Sequence, residues 1–314
     1  MLENCYLCIM AKFQIDILGC GSATPTEMHL PSSQVIDFRD HLMMVDCGEG
    51  AQLQFRKMRL KFSRLNHIFI SHLHGDHFLG LPGLLSTLAL HDTGGTIVVH
   101  TFKEGIDILK RIMNVFCRET SFDIVYDEIA PERGIVLDDK SLTVECFPLY
   151  HRVPAVGYIF KEKPKQRHLK GDMVRFLGIP VSQLPKIKEG ADYIKPDGTV
   201  VPNALLTTDA DPQMSYAYCS DTAFNPKVAE DIMGVNTLYH ESTYLADKET
   251  KAAPRGHSTA AQAGRIATMA GVKRLILGHY SKSYFDDSLF AKEAATTFDG
   301  EIIAAREGMK IDLL

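Results

Sequence analysis

The sequence predicts a mixed fold of strands and helices (α+β), and three observations lead to that class. Apolar runs with strand-like character recur in both halves of the chain. Most of these runs are followed by segments in which apolar residues have helical spacing. Between the halves, residues 161–213 hold six prolines, many lysines and little periodicity. A two-sheet sandwich flanked by helices fits this order, as does a doubly wound sheet, and periodicity does not choose between them.

The first half contains eight predicted strands and three predicted helices. The strands are FQIDILG, SQVIDF, HLMMVDCG, LNHIFIS, TIVVHT, DIVYDEI, SLTVECFPL and AVGYIF, and several end in glycine-rich turns. Helices are predicted at about residues 50–60, after Pro82, and at EGIDILKRIMNVF. The last of these has a helical repeat of apolar residues at Ile106, Leu109, Ile112, Met113 and Phe116.

The middle segment, at about residues 161–200, is interpreted as an insertion or flexible arm. Residues 161–195 contain nine Lys or Arg and four Asp or Glu, a net charge of +5, although the whole chain carries −5. The remainder therefore carries −10. An acidic body with one basic segment is typical of proteins that steer a polyanion, and a solvated lysine-rich loop is the alternative.

Alternation of strands and helices resumes after the arm. Strands are predicted at AYCSDT, TLYHEST, RLILGHYS and near Ile311, and helices at about 225–233, TAAQAGRIATMAG and SLFAKEAATTF. A chain of 314 residues that is 45% hydrophobic buries a sizeable core. No apolar run approaches the roughly 18–20 residues that cross a bilayer, so no membrane contact is expected.

Residues 1–10 are predicted to be a tail that precedes a folded domain at 11–314, because Met10 lies just before the first strand. The tail lacks the basic start and cleavage site of a secretory signal. Seven scattered cysteines, an odd number, indicate reduced thiols and a cytoplasmic protein. Cys5 and Cys8 form a lone C-x-x-C, for which a flexible tail is favoured over a metal or redox site.

The strongest chemical signal is SHLHGDH, which places His72, His74, Asp76 and His77 on the loop that leaves a strand. Such loops commonly carry working residues. Imidazole and carboxylate ligands suit Zn²⁺, Mn²⁺ or Fe. Four ligands in six positions exceed what one metal usually takes from so short a stretch, so further ligands and a second metal are expected.

Three other residues stand where apolar strands end, namely His151, Asp221 and His279. An aspartate suits a position between two cations because each oxygen can bind one. We expect these residues to meet the cluster at one sheet edge. The other histidines are interpreted as structural or surface residues: His29, His41, His67, His91, His100, His168 and His240. In the first loop, Gly21, Ser22 and Thr24 suit either a phosphate or a tight turn.

These residues resemble the metallo-β-lactamase superfamily, an αββα sandwich that binds two metals at one sheet edge. The order of several motifs more closely resembles the ribonuclease Z family in its short form: LGCGSATPT, VDCGEGAQLQ, SHLHGDHFLGLPGLL, HRVPAVGY, YCSDT, HEST, GHSTA and GHYS. The resemblance runs from about residue 13 to the end. It implies one zinc at His72, His74 and His151, a second at Asp76, His77 and His279, and Asp221 between them. Mn²⁺ or Fe are the alternatives to zinc.

The resemblance also implies roles in catalysis. Asp76 would orient the attacking water, and Glu241 would hold His257, which protonates the leaving group. The implied activity is that of a zinc-dependent endoribonuclease that removes the 3′ trailer from precursor tRNA and leaves a 3′-hydroxyl. A homodimer, in which one subunit's arm serves the other's site, is also implied. Substrate contacts are expected at Lys161, Lys163, Lys165, Arg167, Lys170, Lys186, Lys188, Ser281 and Lys282.

Two segments depart from the family pattern. The arm reads LGIPVSQLPKIKEG, without the family's Gly-Pro step, and HYSKSY has Lys282 where an arginine is usual. The main alternative is therefore a phosphodiesterase or arylsulfatase-like hydrolase of small molecules. A single-iron oxidoreductase and a catalytically silent RNA-binding module are the other two hypotheses.

Overall fold

The computed structural model describes residues 12–39, 41–91 and 94–313, which divide into two compact units. The smaller unit comprises Asp139–Leu142 and Lys161–Gln213, and the larger unit contains the rest. The predicted tail, with Cys5 and Cys8, lies outside the described residues. Among the described helices, none has the length and apolar character needed to cross a bilayer.

The larger unit contains two seven-stranded sheets. The first sheet consists of β1 (Phe13–Gly19), β2 (Ser33–Phe38), β3 (His41–Cys47), β4 (Leu65–Phe69), β5 (Thr96–Thr101), β6 (Asp123–Glu128) and β18 (Lys310–Asp312). The strand order is β18-β1-β2-β3-β4-β5-β6. The pairs from β18 to β3 are antiparallel, and those from β3 to β6 are parallel.

The second sheet consists of β7 (Gly134–Asp138), β8 (Leu142–Pro148), β9 (Val156–Glu162), β14 (Ser215–Cys219), β15 (Thr237–Glu241), β16 (Arg274–Gly278) and β17 (Glu301–Ala304). Its order is β17-β16-β15-β14-β9-β8-β7. Strands β14 to β17 are parallel to one another, so their carboxyl ends lie at the same edge of the sheet.

The helices of the larger unit are α1 (Ala51–Lys57), α2 (Gly75–Phe78), α3 (Gly80–Leu90), α4 (Lys103–Phe116), α8 (Pro226–Asp231), α9 (Glu249–Ala252), α10 (Ala260–Ala270) and α11 (Ser288–Ala294). Helices α1, α3 and α4 pack through Phe55, Leu84 and Leu109 against Ile68 and Val99 of the first sheet. Helices α10 and α11 contact the second sheet.

The two sheets face each other. The hydroxyl of Tyr158 in β9 donates to the carbonyl of Ile70 at 2.7 Å, and that of Tyr218 in β14 donates to Asp46 in β3 at 2.9 Å. Helices therefore cover an inner pair of sheets, which confirms the αββα sandwich. The doubly wound single sheet, left open by periodicity, is wrong.

The smaller unit has short elements of its own. They are β10 (His168–Leu169), α5 (Gly171–Phe176), α6 (Leu184–Lys188), β11 (Tyr193–Ile194), β12 (Val200–Val201), α7 (Asn203–Leu206) and β13 (Thr207–Thr208). Five buried side chains form its core: Ile179, Ile187, Tyr193, Val201 and Leu206. Elements of two to six residues are too short to give a readable period, so the sequence showed only an irregular segment there.

One buried carboxylate in the first sheet lies outside the predicted chemistry. Asp16 in β1 is fully buried, and neither of its oxygens has a hydrogen-bond partner among the described residues. Burial raises the pKa of Asp16 from 3.8 to about 6, although Lys310 and Lys12 act in the opposite direction. Because the pKa is higher in the folded state, the neutral carboxyl stabilises the fold at pH values below the unfolded-state pKa of 3.8. This stabilisation is lost as the pH rises through the folded-state pKa of about 6.

Replacing Asp16 with asparagine is therefore expected to raise the free energy of unfolding at pH 8 by on the order of 2–3 kcal/mol. The gain should shrink toward zero as the pH falls toward 4, because the native carboxyl is then already neutral. Denaturant unfolding at both pH values measures it. Asp37→Asn is the control. It should lower the free energy of unfolding, because Asp37 pairs with Lys12 and Arg64, each at 2.5 Å. An equal gain for Asp16→Asn at pH 4 and pH 8 would contradict the assignment.

Candidate metal centre and active site

A buried carboxylate at the end of β3 fixes the loop that carries the histidine cluster. Asp46 Oδ1 accepts a hydrogen bond from the backbone amide of Ser71 at 2.7 Å. Its Oδ2 accepts from the Ser71 hydroxyl at 2.8 Å, from Tyr218 at 2.9 Å and from His77 Nδ1 at 2.7 Å. Four donors satisfy this fully buried group, so the loop starts from a fixed point.

The first set of ligand atoms gathers the ring nitrogens of three histidines and one aspartate oxygen. His74 Nδ1 lies 3.1 Å from His72 Nε2 and 3.2 Å from His151 Nε2. Asp221 Oδ2 lies 3.6 Å from the same nitrogen of His72 and 3.8 Å from that of His151. Three elements thus converge: the loop after β4, the loop after β8, and the carboxyl end of β14.

The second set shares Asp221 through its other oxygen. Asp221 Oδ1 lies 3.0 Å from His279 Nε2 and 3.4 Å from His77 Nε2, and these two nitrogens are 3.3 Å apart. Asp76 Oδ2 lies 3.4 Å from the His279 nitrogen and 3.5 Å from that of His77. The structure therefore brings all seven residues that the sequence singled out to one edge, in two groups that meet at Asp221.

The donor set fits a pair of metal ions. Nitrogen and oxygen ligands about 2.0–2.1 Å from a tetrahedral zinc lie roughly 3.3 Å from one another, close to the separations in the second set. Asp221 Oδ1 is buried and has no hydrogen-bond donor among the described residues, as expected of an oxygen shaped for a cation. Burial and the neighbouring His77 lower the pKa of His72, which favours the neutral imidazole that binds metals.

The outer nitrogens of the histidines are held in place by specific acceptors. His77 Nδ1 donates to Asp46 at 2.7 Å, and His151 Nδ1 donates to the carbonyl of Gly256 at 2.7 Å. Gly256 has a φ of +73°, and a Cβ there would lie 2.5 Å from that same His151 nitrogen, so only glycine allows the approach. Each acceptor fixes the tautomer in which the inner nitrogen keeps its lone pair.

Glu241 and His257 form a buried pair beside the second set. His257 Nδ1 donates to Glu241 Oε1 at 3.0 Å, and the amide of Ser258 donates to the same oxygen at 3.0 Å. Burial lowers the pKa of His257, but the charge and hydrogen bond of Glu241 outweigh it and raise the pKa to about 9. His257 precedes Thr259, which caps α10 and forms a capping box with Gln262, so His257 itself is free of a capping role.

Thr243 connects this pair to the metal ligands. Its hydroxyl donates to Glu241 Oε2 at 2.7 Å and accepts from His279 Nδ1 at 2.8 Å. The backbone amide of Thr243 also donates to Glu241 at 2.9 Å. One buried carboxylate thereby orients both His257 directly and His279 through a hydroxyl.

The centre opens into a cavity of about 690 Å³. Ser22, Ala23 and Thr24 line one part of it, and the amide of Ala23 donates to Asp76 Oδ2 at 2.7 Å. Gly21 forms isolated β-bridges with Pro31 and Tyr280, and its amide donates to the carbonyl of Leu30 at 2.8 Å. The other lining residues of interest are cationic: Arg152, Lys248, Lys251, Arg255 and Lys282.

Comparison with known proteins agrees with this geometry. Ribonuclease Z of Parabacteroides distasonis is 49% identical over 305 residues, which cover 97% of this chain and 100% of that protein. Ribonuclease Z of Porphyromonas gingivalis is 50% identical over 306 residues, with the same coverage of 97% and 100%. The chain belongs to the ribonuclease Z family. Residues 13–163 also match a protein family described as Anti-Pycsar protein Apyc1.

Solved structures show the same fold. The short form of human tRNase Z is 24% identical, with a TM-score of 0.70 and coverage of 96% of this chain and 99% of that one. The metallo-β-lactamase fold protein YhfI from Bacillus subtilis is 18% identical, with a TM-score of 0.69 and the same coverage of 96% and 99%. At such identities the likeness concerns the fold, which is that of the metallo-β-lactamases.

The residues predicted to bind substrate lie in two places. Ser281 and Lys282 line the cavity. The others belong to the smaller unit: Lys161, Lys163, Lys165, Arg167, Lys170, Lys186 and Lys188. Within that unit Lys165 pairs with Glu162 at 2.8 Å and Arg167 with Asp209 at 2.9 Å, so local acids offset part of the basic charge.

The remaining histidines contact groups outside the metal centre. His29 lies between Asp287 and Glu307, each at 3.1 Å. His100 pairs with Asp127 at 2.7 Å, and His240 Nδ1 donates to the carbonyl of Glu241 at 2.7 Å. The structural role of these histidines stays a prediction.

Three features of the site were missed by sequence reasoning. Asp46 stands at the end of an apolar strand, in VDCGEG, the same placement that pointed to Asp221. Thr243 follows Glu241 in HEST, at a spacing that alone identifies no contact. Lys248, Lys251 and Arg255 have helical spacing, which is more often a solvated face.

Replacing Asp46 with asparagine is expected to weaken metal binding by about 10–100-fold, because His77 Nδ1 loses its carboxylate acceptor. Asparagine tolerates the left-handed φ of 56° at this position. Competition with a chromogenic chelator measures the affinity. Asp287→Asn is the matched control, since Asp287 is a buried carboxylate that contacts His29 outside the centre. Equal affinities of Asp46→Asn and the control would contradict this role.

Proposed function

We propose that this chain is a metal-dependent endoribonuclease that removes the 3′ trailer from precursor tRNA and leaves a 3′-hydroxyl on the tRNA. The observation that carries the proposal is the joint placement of seven ligands and the Glu241–His257 pair at one sheet edge, in a member of the ribonuclease Z family. The cavity above them is lined by five cations, which favours an anionic substrate.

The proposed cofactor is two Zn²⁺ ions, with Mn²⁺ or Fe as the alternatives. His72, His74 and His151 would hold one ion, Asp76, His77 and His279 would hold the other, and Asp221 would serve both. When bound, such a pair supplies positive charge that stabilises the attacking and leaving oxygens of a phosphoryl displacement.

Asp76 positions the attacking water. The amide of Ala23 fixes Asp76 Oδ2 at 2.7 Å, so the carboxylate has a set direction at the cavity wall. The water oxygen forms a bond to phosphorus while the bond from phosphorus to the tRNA O3′ breaks. The scissile phosphate therefore leaves with the trailer as its 5′-phosphate.

His257 donates the proton that the departing O3′ needs. Its Nδ1–H is held by Glu241, and the ring lines the cavity. Fixing one nitrogen on a carboxylate sets the ring orientation and makes the histidine more basic, so it is protonated before the reaction begins. The leaving oxygen is thereby released as a hydroxyl.

The smaller unit is proposed to bind the tRNA body through its lysines, because backbone phosphates need charge rather than base-specific groups. A homodimer, as the family resemblance implies, is part of the proposal, and sedimentation equilibrium tests it. A cytoplasmic location is also proposed. It is supported by the five cysteines among the described residues, all of which are free thiols.

The decisive assay incubates the purified chain with end-labelled precursor tRNA, with and without a chelator, and maps the cut. We expect one cleavage 3′ of the tRNA body that requires metal. His257→Gln should lower kcat by about 10²–10⁴-fold, because the leaving oxygen loses its proton donor, while the metal content stays the same.

The matched control is His100→Gln, which replaces a buried histidine paired with a carboxylate outside the cavity and should retain wild-type kcat. The alternative function predicts a different result. A small-molecule phosphodiesterase would leave precursor tRNA intact and turn over a chromogenic phosphodiester with the higher kcat/KM.

A further inference from the structure

A short helical stretch beside the cavity carries a row of cations. Residues 246–255 are continuous in helical structure, from a 3-10 turn at Ala246–Lys248 through α9 to a second 3-10 turn at Ala253–Arg255. Lys248, Lys251 and Arg255 stand at positions i, i+3 and i+7, which share one helical face. We call these three residues the cation row.

All three side chains of the cation row line the cavity of the metal centre. Ala252, between them in sequence, is buried, and Glu249 accepts a hydrogen bond from Gln262 at 2.9 Å. The stretch therefore directs its basic side chains to the cavity and engages its central acid elsewhere.

Two members of the cation row contact aromatic side chains. The Lys248 ammonium lies 4.4 Å from the centre of the Tyr284 ring. The Arg255 guanidinium donates to the hydroxyl of Tyr244 at 2.9 Å. Within the described part of the chain, no carboxylate lies within ion-pair distance of any of the three, so their charges are available to a ligand.

The charge on this wall exceeds what one phosphate needs. The only acids that line the described cavity are Asp76 and Asp221, and both belong to the metal-ligand sets. A scissile phosphodiester has a single negative charge and faces the metal centre. A line of three further cations instead matches successive phosphates of one strand, as in grooves that follow a nucleic-acid backbone.

The position of His257 indicates which end of the cation row lies nearer the leaving group. Arg255 is two residues from His257, and its partner Tyr244 has a ring centre 6.1 Å from that of His257. In the proposed reaction His257 protonates the tRNA O3′. The Arg255 end of the row therefore lies on the leaving-group side, where the strand 5′ of the cut arrives.

We propose that Lys248, Lys251 and Arg255 bind the phosphates of the tRNA strand immediately 5′ of the cleavage site, rather than those of the trailer. The inference rests on the proposed function, because that function assigns O3′ to the side of His257. It gives the enzyme a grip on the last tRNA nucleotides that does not depend on trailer length or sequence.

The test compares a row variant, Lys248→Gln/Lys251→Gln/Arg255→Gln, with a control variant, Lys57→Gln/Lys103→Gln/Lys292→Gln. The control removes the same charge from exposed positions outside the cavity. We expect the row variant to raise KM for precursor tRNA about tenfold or more. The slope of log KM against log salt should fall by about 2, from three lost single-strand phosphate contacts. The control should match the wild type.

Neutral linkages then locate the contacts. Two substrates carry methylphosphonates in 2′-deoxynucleotides, either at the two linkages 5′ of the cut or at the two linkages 3′ of it. All-phosphate deoxy versions are the references. The wild type should bind the 5′ substrate more weakly than its all-phosphate reference. The row variant should bind both almost equally, because it already lacks the contacts that the neutral linkages remove. On the 3′ substrate both enzymes should lose affinity equally.

Three results would overturn the inference. The first is an unchanged KM in the row variant, and the second is a 3′ substrate on which the row variant loses no further affinity. The third is an affinity loss from the neutral linkages that adds to that of the row variant on both substrates. Lys251→Gln alone, at an exposed position, keeps the test valid if the triple variant fails to fold. A wild-type enzyme that does not cut precursor tRNA would instead refute the proposed function. If the wild type cuts precursor tRNA but the affinity losses from the row substitutions and the neutral linkages are independent, only the role of the cation row is refuted.

Discussion

The buried carboxylate of Asp221 is the constraint on which the rest of the site depends. Its two oxygens belong to different ligand sets, with Oδ1 3.0 Å from His279 and Oδ2 3.6 Å from His72. A carboxylate that is 2% exposed is costly unless positive charge surrounds it. Although burial opposes it, the neighbouring His279 and His77 hold the pKa of Asp221 well below its ordinary value. Two metal ions at the proposed sites would supply the same compensation more strongly.

Each sheet supplies one further buried carboxylate behind the metal centre. Asp46 in the first sheet holds His77 directly, and Glu241 in the second sheet holds His279 through Thr243. Both carboxylates also accept backbone amides, Asp46 that of Ser71 and Glu241 that of Ser258, so neither can move without breaking these hydrogen bonds. Glu241 additionally holds His257. The proton donor and one metal ligand are therefore oriented by the same group, which fixes their relative position across the cavity.

Local patterns predicted the α+β class and the ligand-bearing loops, whereas the two-sheet sandwich was implied only by the family resemblance. Apolar runs located the strands, and the ligands follow four of them, β4, β8, β14 and β16, where such runs stop. Asp46 also stands at the end of an apolar strand, but its role could not be predicted in this way, because its partners Ser71, His77 and Tyr218 lie far from it in sequence. The burial of Asp16 could not be predicted either. Alternation along β1 predicts a solvent-facing side chain there, yet strand β18, from the far end of the chain, pairs with β1 at Asp16. The cation row has readable helical spacing, but only the folded cavity shows what that helix faces.

We propose that the centre holds two metal ions and that Asp221 is a ligand of both. Native mass spectrometry of the zinc-reconstituted chain tests it directly, with elemental analysis of the wild type and Asp221→Ala. We expect two zinc ions per wild-type chain and at most one in the variant, with the fold intact by circular dichroism. A wild type that saturates at one ion, or a variant that keeps two with unchanged affinity, would contradict it.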